Sequence, residues 1–174
     1  MRSFSRLAII SLSVVAVLII SCSTVVYISG IPPKESKIVS NFSIHRAAYE
    51  RLRTMLSEDK EVGDVAPWGI ARKGTLDWKI PPDGGMAVER YKEYLGLMKE
   101  IGAARISQYG DPHEVTFAVW GSGWGADTRH VSVSWLEREP SNVVTSLEAF
   151  YRTDKPRQPS YVHIEGNWYI WADW

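Results

Sequence analysis

Asp127, His130 and Ser132 supply the three side-chain types of a hydrolytic triad within one short stretch. A triad needs a base within hydrogen-bond reach of its nucleophile and an oxyanion site beside it. On a strand, His130 and Ser132 point to one face about 7 Å apart, too far for direct proton transfer, so the trio reads as the polar face of a strand. Asp111-Pro112-His113-Glu114 offers three oxygen or nitrogen ligands in a turn, but neighbours this close rarely converge on one ion. The four histidines, His45, His113, His130 and His163, form neither a His-x3-His pair nor a His-Glu-x2-His motif. Glu89 and Glu93 stand one helical turn apart, yet Arg90 and Lys92 beside them make a solvated charged face a better reading than a glycosidase pair. No catalytic residue, metal site or cofactor is assigned.

Gly121-Ser122-Gly123-Trp124-Gly125 has the glycines of a phosphate-cradling loop, but such a loop feeds a helix N-terminus, and here strand patterns flank both sides. It reads as a hairpin loop that could carry Trp124 as a binding lip. Eight tryptophans and eight tyrosines are the stronger oddity. Tyr161 to Glu165 and Trp168 to Ala172 flank Gly166-Asn167, the signature of a two-residue hairpin. Pairing straight across that loop puts Val162 and Ile164 on one face with Tyr169 and Trp171. Tyr161, His163, Trp168, Ile170 and Trp174 then share the other face, expected to be covered by a helix of the same domain or to serve as a platform for a ligand or partner.

The elements that must hold these residues are legible as periodicities. Asn41 to Glu58 carries Ile44, Ala48, Leu52, Met55 and Leu56 at helical spacing; Tyr91, Leu95, Met98 and Ile101 mark a second helix that starts near Pro81-Pro82-Asp83 and stops at Gly102. Short strands are expected at 70–72 and 76–80. From Arg105 the period becomes two: Val115, Phe117 and Val119 alternate with Glu114, Thr116 and Ala118, and Val131, Val133 and Trp135 with His130, Ser132 and Ser134. Val143 to Tyr151 reads as a further strand. Two amphipathic helices followed by an antiparallel β meander that ends in a hairpin define an α+β domain. That order resembles cystatin-like or nuclear-transport-factor-like cones, a likeness of fold that carries no function.

The chain has 174 residues, 20 Lys+Arg against 20 Asp+Glu, and one cysteine. Residues 1–30 hold only Arg2 and Arg6, so the rest is close to neutral, which argues against a nucleic-acid partner. One cysteine excludes an internal disulfide.

Leu7 to Ile28 is uncharged and long enough to cross a bilayer as a helix. Arg2 and Arg6 with Leu7 to Ile20 also fit the positive and apolar regions of an export signal. Ile19-Ile20-Ser21-Cys22 resembles the lipobox of bacterial lipoproteins, which implies lipidation of Cys22 as the mature N-terminus. Val25-Val26-Tyr27-Ile28 departs from that pattern, since a lipoprotein usually turns polar after its cysteine, and keeps an uncleaved single-pass anchor as the alternative. Either way residues 1–30 are the signal or anchor, 31–38 with Pro32-Pro33 a tether, and 39–174 one extracytoplasmic domain, at the cell membrane or outer membrane.

The function expected is a membrane-tethered, non-catalytic binding or assembly module of the cell envelope, with an envelope protein or glycan as partner; the alternative is a small envelope hydrolase with His130 or His113 as base. Mass spectrometry of the membrane-extracted protein checks the anchor. A lipidated N-terminal Cys22 peptide is expected, and a mature chain that retains an unmodified Met1–Arg6 peptide would replace lipidation with the single-pass helix.

Overall fold

A computed structural model describes residues 30–109, 114–123, 128–152 and 159–173, with side chains except that of Arg152. The chain divides into Met1–Pro32 and Pro33–Trp174. Among the described residues no helix is long and apolar enough to cross a membrane; the Leu7–Ile28 stretch and Cys22 lie outside them.

The domain is α+β. Its described elements are α1 (Glu35–Ile44), α2 (Arg46–Glu58), β1 (Val62–Ala66), β2 (Gly69–Arg72), β3 (Trp78–Lys79), α3 (Val88–Ile101), β4 (Arg105–Tyr109), β5 (Glu114–Ser122), β6 (Arg129–Leu136), α4 (Leu147–Arg152), β7 (Ser160–Glu165) and β8 (Trp168–Asp173). The strands form one antiparallel sheet in the order β3-β2-β1-β4-β5-β6-β8-β7.

The register aligns one apolar row across seven strands: Ile70, Val65, Ile106, Phe117, Val133, Ile170 and Val162 are successive cross-strand partners. All are buried in one cluster with Ile38 and Phe42 of α1, Tyr49, Leu52 and Met55 of α2, Tyr94 and Met98 of α3, and Leu147 and Phe150 of α4. Every helix therefore packs on the same face of the sheet. At the centre, the Trp168 ring lies 5.1 Å from Phe42 and 5.8 Å from both Tyr49 and Phe117, and its Nε1 donates to Glu50 Oε1 at 3.1 Å. The indole thus buries its rings and still satisfies its one polar group.

Polar contacts lock the helices to one another. Arg90 of α3 bonds Glu58 and Asp59 at 2.6 and 2.9 Å, Tyr94 donates to Asp59 at 2.8 Å, and Arg51 of α2 reaches Glu93 at 2.7 Å. α1 and α4 cap each other: the Glu35 N–H donates to Glu148 Oε1 at 3.0 Å, and the Leu147 N–H to Glu35 Oε2 at 2.7 Å. Each carboxylate meets an otherwise orphaned donor at the other helix's start.

Several expectations change. The helix expected over Asn41–Glu58 is two helices broken at His45, and Ile44 is 73 % exposed rather than core. The tether ends sooner, because Glu35 opens α1 and Ile38 is buried. Val143 makes only an isolated parallel bridge to Tyr161, and from Leu147 the stretch expected as a strand is helix α4 instead. The second helix starts at Val88, after turns, and ends as expected at Gly102, whose φ of 71° favours glycine. β1 went unread because Gly63 and Asp64 interrupt it. At its bulge a Cβ on Gly63 would lie 2.9 Å from the Lys73 backbone, so the strand requires the residue that disguises it.

Chemical denaturation tests the placement of the last hairpin's aromatics. Trp168→Ala is expected to cost about 3–5 kcal/mol of stability, as for a large core aromatic, and Trp171→Ala, on the half-buried opposite face, clearly less. The reverse order would contradict this register.

Candidate functional site

The period of two that sends the apolar row to the helices sends a second set of rows to the opposite face. Asp64, Ser107, Thr116, Ser134, Tyr169 and His163 are successive cross-strand partners there, and Arg105, Ala118, Ser132, Trp171 and Tyr161 form the adjacent row. Together with Tyr109 and Glu114 at one end and His130 opposite Asp173 at the other, parts of these rows line a cleft of ≈ 370 Å³. By strand rise from Glu114 to Gly121, the partner of His130, the cleft runs about 20 Å along the strands. Its lining spans β4 to β7, and the coiling of a twisted sheet brings diagonal corners together over one face.

Charge in the cleft is placed on hydroxyls. Ser107 donates to Asp64 Oδ1 at 2.5 Å, with the Arg105 guanidinium 3.8 Å from the same oxygen. Thr116 Oγ1 donates to Glu114 Oε1 at 3.2 Å and lies 3.2 Å from Ser134 Oγ. Burial raises the Glu114 pKa, opposed by the Thr116 hydrogen bond. Burial, with the Glu114 charge as a second cause, pushes the Tyr161 hydroxyl up to about 12. The phenol therefore stays a neutral donor near neutral pH, and Glu114 bears a desolvation cost that a surface carboxylate escapes.

The expected aromatic platform does not exist as drawn. Trp168 and Ile170 are 2 % and 0 % exposed and face the helices, whereas Tyr161 and His163 face away from them. The cause is a β-bulge between His163 and Glu165, which shifts β7 by one residue and pairs His163 with Tyr169 rather than with Ile170. β8 takes its facing from β6, through Val133 opposite Ile170. The surface side of the hairpin is thus Tyr161, His163, Tyr169 and Trp171. His163 uses Nε2 on the Gly166 carbonyl at 3.0 Å and stacks edge-on with Tyr169. Trp124 and Trp174 lie outside the described residues, as do Asp127 and His113.

Of the residues weighed for catalysis, the structure brings His130 and Ser132 to one face, with Ser132 2 % exposed. The hydroxyls of Ser107 and Thr116 are engaged by carboxylates rather than by a histidine. Gly121 and Ser122 continue β5, and Ser122 pairs with Arg129 of β6, so the glycine-rich stretch joins two strands. Glu93 is held by Arg51 and Arg90 between two helices. Among the described residues no group of three or more His, Cys, Asp or Glu side chains is arranged to hold a metal ion. What the cleft offers instead is a polar trough with the rings of Tyr109, Tyr161 and Trp171, charges of both signs at Arg105, Glu114 and Asp173, and hydroxyls of which those of Ser107 and Thr116 already donate to carboxylates. Arg105, Ser107, Tyr109, Thr116, Trp171 and Asp173 line the cleft without being site candidates in the sequence, and Glu114 figures there only as a metal ligand. The alternation of Glu114 and Thr116 with Val115 and Phe117 already placed two of them on the polar face.

A carboxylic acid whose folded pKa is raised binds more protons folded than unfolded, so stability falls as pH rises through the window from its unfolded value, about 4.3, up to the folded one, and the loss persists above it. Glu114→Gln is therefore expected to melt higher than wild type at neutral pH, with the difference vanishing near pH 3. A wild-type melting temperature at neutral pH would mean that Glu114 carries no such cost. Comparison with protein-family models, with curated proteins and with solved structures finds no match to this chain, so neither the cone likeness nor any relative adds to what this geometry says.

Proposed function

We propose that the protein is a non-catalytic binding module of the cell envelope, membrane-tethered through its N-terminal segment, that holds a glycan in the cleft on the helix-free face. The observation that carries this reading is the cleft itself: an elongated trough lined by the rings of Tyr109, Tyr161 and Trp171, by Thr116 and by the exposed Arg105 and His130, with Ser107 and Ser132 buried in its floor. Sugar rings present apolar C–H faces that lie flat on aromatic rings, and hydroxyls that both donate and accept; this lining matches both. A rigid aromatic such as Trp171 gives contact area at low entropic cost. The uncharged Leu7–Ile28 stretch and the lipobox-like Ile19–Cys22 support the tether and an extracytoplasmic domain.

A second reading, a small envelope hydrolase, is favoured by one observation. Glu114 is a partly desolvated carboxyl in a cleft, the environment that tunes an acid for proton transfer. His130, the base first considered, sits at the far end of the trough from Glu114, so the two cannot share one reacting centre. Loss of a general acid costs about 10²–10⁴-fold in rate, whereas Glu114→Gln leaves binding largely intact in a non-catalytic module.

Sedimentation of the detergent-solubilised chain with insoluble peptidoglycan, chitin and cellulose tests the proposal. Retention on at least one polymer is expected, with Trp171→Ala weakening it at least about tenfold, the order of one lost aromatic anchor, and the thermal transition nearly unchanged. Equal retention of the variant, or no retention on any polymer, would overturn the glycan reading.

A further inference from the structure

On the helix side, the last turns of α2 stand over a gap of ≈ 280 Å³ whose floor is Gln108, Val115 and Trp135, successive partners in β4, β5 and β6. Both Gln108 hydrogens are used: its Nε2 donates to the Leu56 carbonyl at 3.1 Å and to the Val62 carbonyl. That clamp joins the floor to the end of α2 and the start of β1. The walls bring cations from three separate segments: Arg53 of α2, Lys60 from the α2–β1 connection and Lys73 from the β2–β3 connection. Arg53 is answered by Glu50 at 2.9 Å, and its guanidinium stacks 4.8 Å over the Trp135 ring. Neither Lys60 nor Lys73 makes an ion pair among the described residues, and Glu137 is the one acid in the lining.

Lys60 and Lys73 are exposed, and with Arg53 they bring three cations to the lining of a space with an apolar, ring-bearing floor. Cations that line one gap raise the local concentration of an anion able to enter it. The volume is roughly twice the ~150 Å³ that houses one benzene ring. We infer that this gap is a second binding site, distinct from the cleft on the opposite face, for an amphiphilic anion: a phosphate or carboxylate head held by Lys60 and Lys73, carried on an aryl or short acyl body that lies against Trp135 and Val115.

The test uses the full-length chain in a non-ionic detergent with 2-naphthyl phosphate as probe, followed by calorimetry. Saturable binding is expected, at least about tenfold tighter than that of 2-naphthol, which lacks the charge, or of inorganic phosphate, which lacks the body. Lys60→Gln with Lys73→Gln is expected to weaken it at least about tenfold without moving the thermal transition, and Trp171→Ala, across the sheet, to leave it unchanged. Competition with dihexanoyl phosphatidate separates the sources: displacement at lower concentration than by unlabelled naphthyl phosphate identifies a lipid headgroup, and weaker displacement a soluble aryl anion. The inference is overturned if the double variant binds as wild type does, if 2-naphthol binds as tightly as its phosphate, or if no binding is seen. Loss in Trp171→Ala alone would move the site to the cleft. Glycan retention is scored separately, so failure of one site leaves the other standing.

Discussion

One line of apolar side chains, from Ile70 through Val65, Ile106, Phe117, Val133 and Ile170 to Val162, sets the register of seven strands at once. In β4, β5 and β6 a strand slipped by one residue would turn its member of that line away from the helices and put a residue such as Ser107, Thr116 or Ser132 against them. The polar rows need no separate specification. Once Phe117 faces the helices, Thr116 and Ala118 must face the cleft, and once Ile170 does, so must Tyr169 and Trp171. The candidate site is in this sense the reverse side of the core.

That dependence explains which parts of the site were legible. In β5 and β6 each strand alternates cleanly, so the polar character of Glu114, Thr116, Ser132 and Ser134 could be read without knowing the pairing. In the last hairpin nearly every residue is aromatic or aliphatic, and Trp168, Ile170, Tyr169 and Trp171 all suit a core by type. Only pairing decides among them, and pairing there turns on a bulge at His163/Glu165 that no local residue preference announces. The two-residue loop at Gly166-Asn167 stands as its residues predict, while the face that straight pairing predicts is overturned by the bulge. Similar physics hid the break at His45. Ile44 fits the apolar stripe of a single long helix, but the chain turns and α1 crosses to Ile101, whose carbonyl accepts from Asn41 Nδ2 at 2.9 Å. Tertiary contacts overrode periodicity there, as at α4, where the N-terminus is secured by Glu35 from more than a hundred residues earlier.

The two sides of the sheet treat charge differently. On the helix side, carboxylates meet strong partners: Asp59 receives Arg90 and Tyr94, Glu93 receives Arg51 and Arg90, and Arg51 holds the Glu93 pKa below the ordinary carboxylate value. Exposed pairs of this kind add little stability singly but define how two helices align. In the cleft, Glu114 bonds a neutral hydroxyl among the described residues, and its pKa moves the other way. Glu114 faces away from the core row, so its surroundings are set by the helix-free face.

The mutual capping of Glu35 and Glu148 joins the first and last described helices of the domain. Because the Glu35 N–H is tied to Glu148 and its carboxylate to the Leu147 N–H, the first turn of α1 is fastened to α4 from its first residue. Lys34, at the N-cap of α1, makes no side-chain cap bond, so the first turn takes its acceptor from a helix more than a hundred residues later. α4 in turn leads toward β7, the edge strand beside β8, so the bond that Glu35 accepts from Leu147 ties α1 to the segment that completes the sheet. A fastening of this kind forms only when both ends of the domain are in place, which is why no local pattern in either segment announces it.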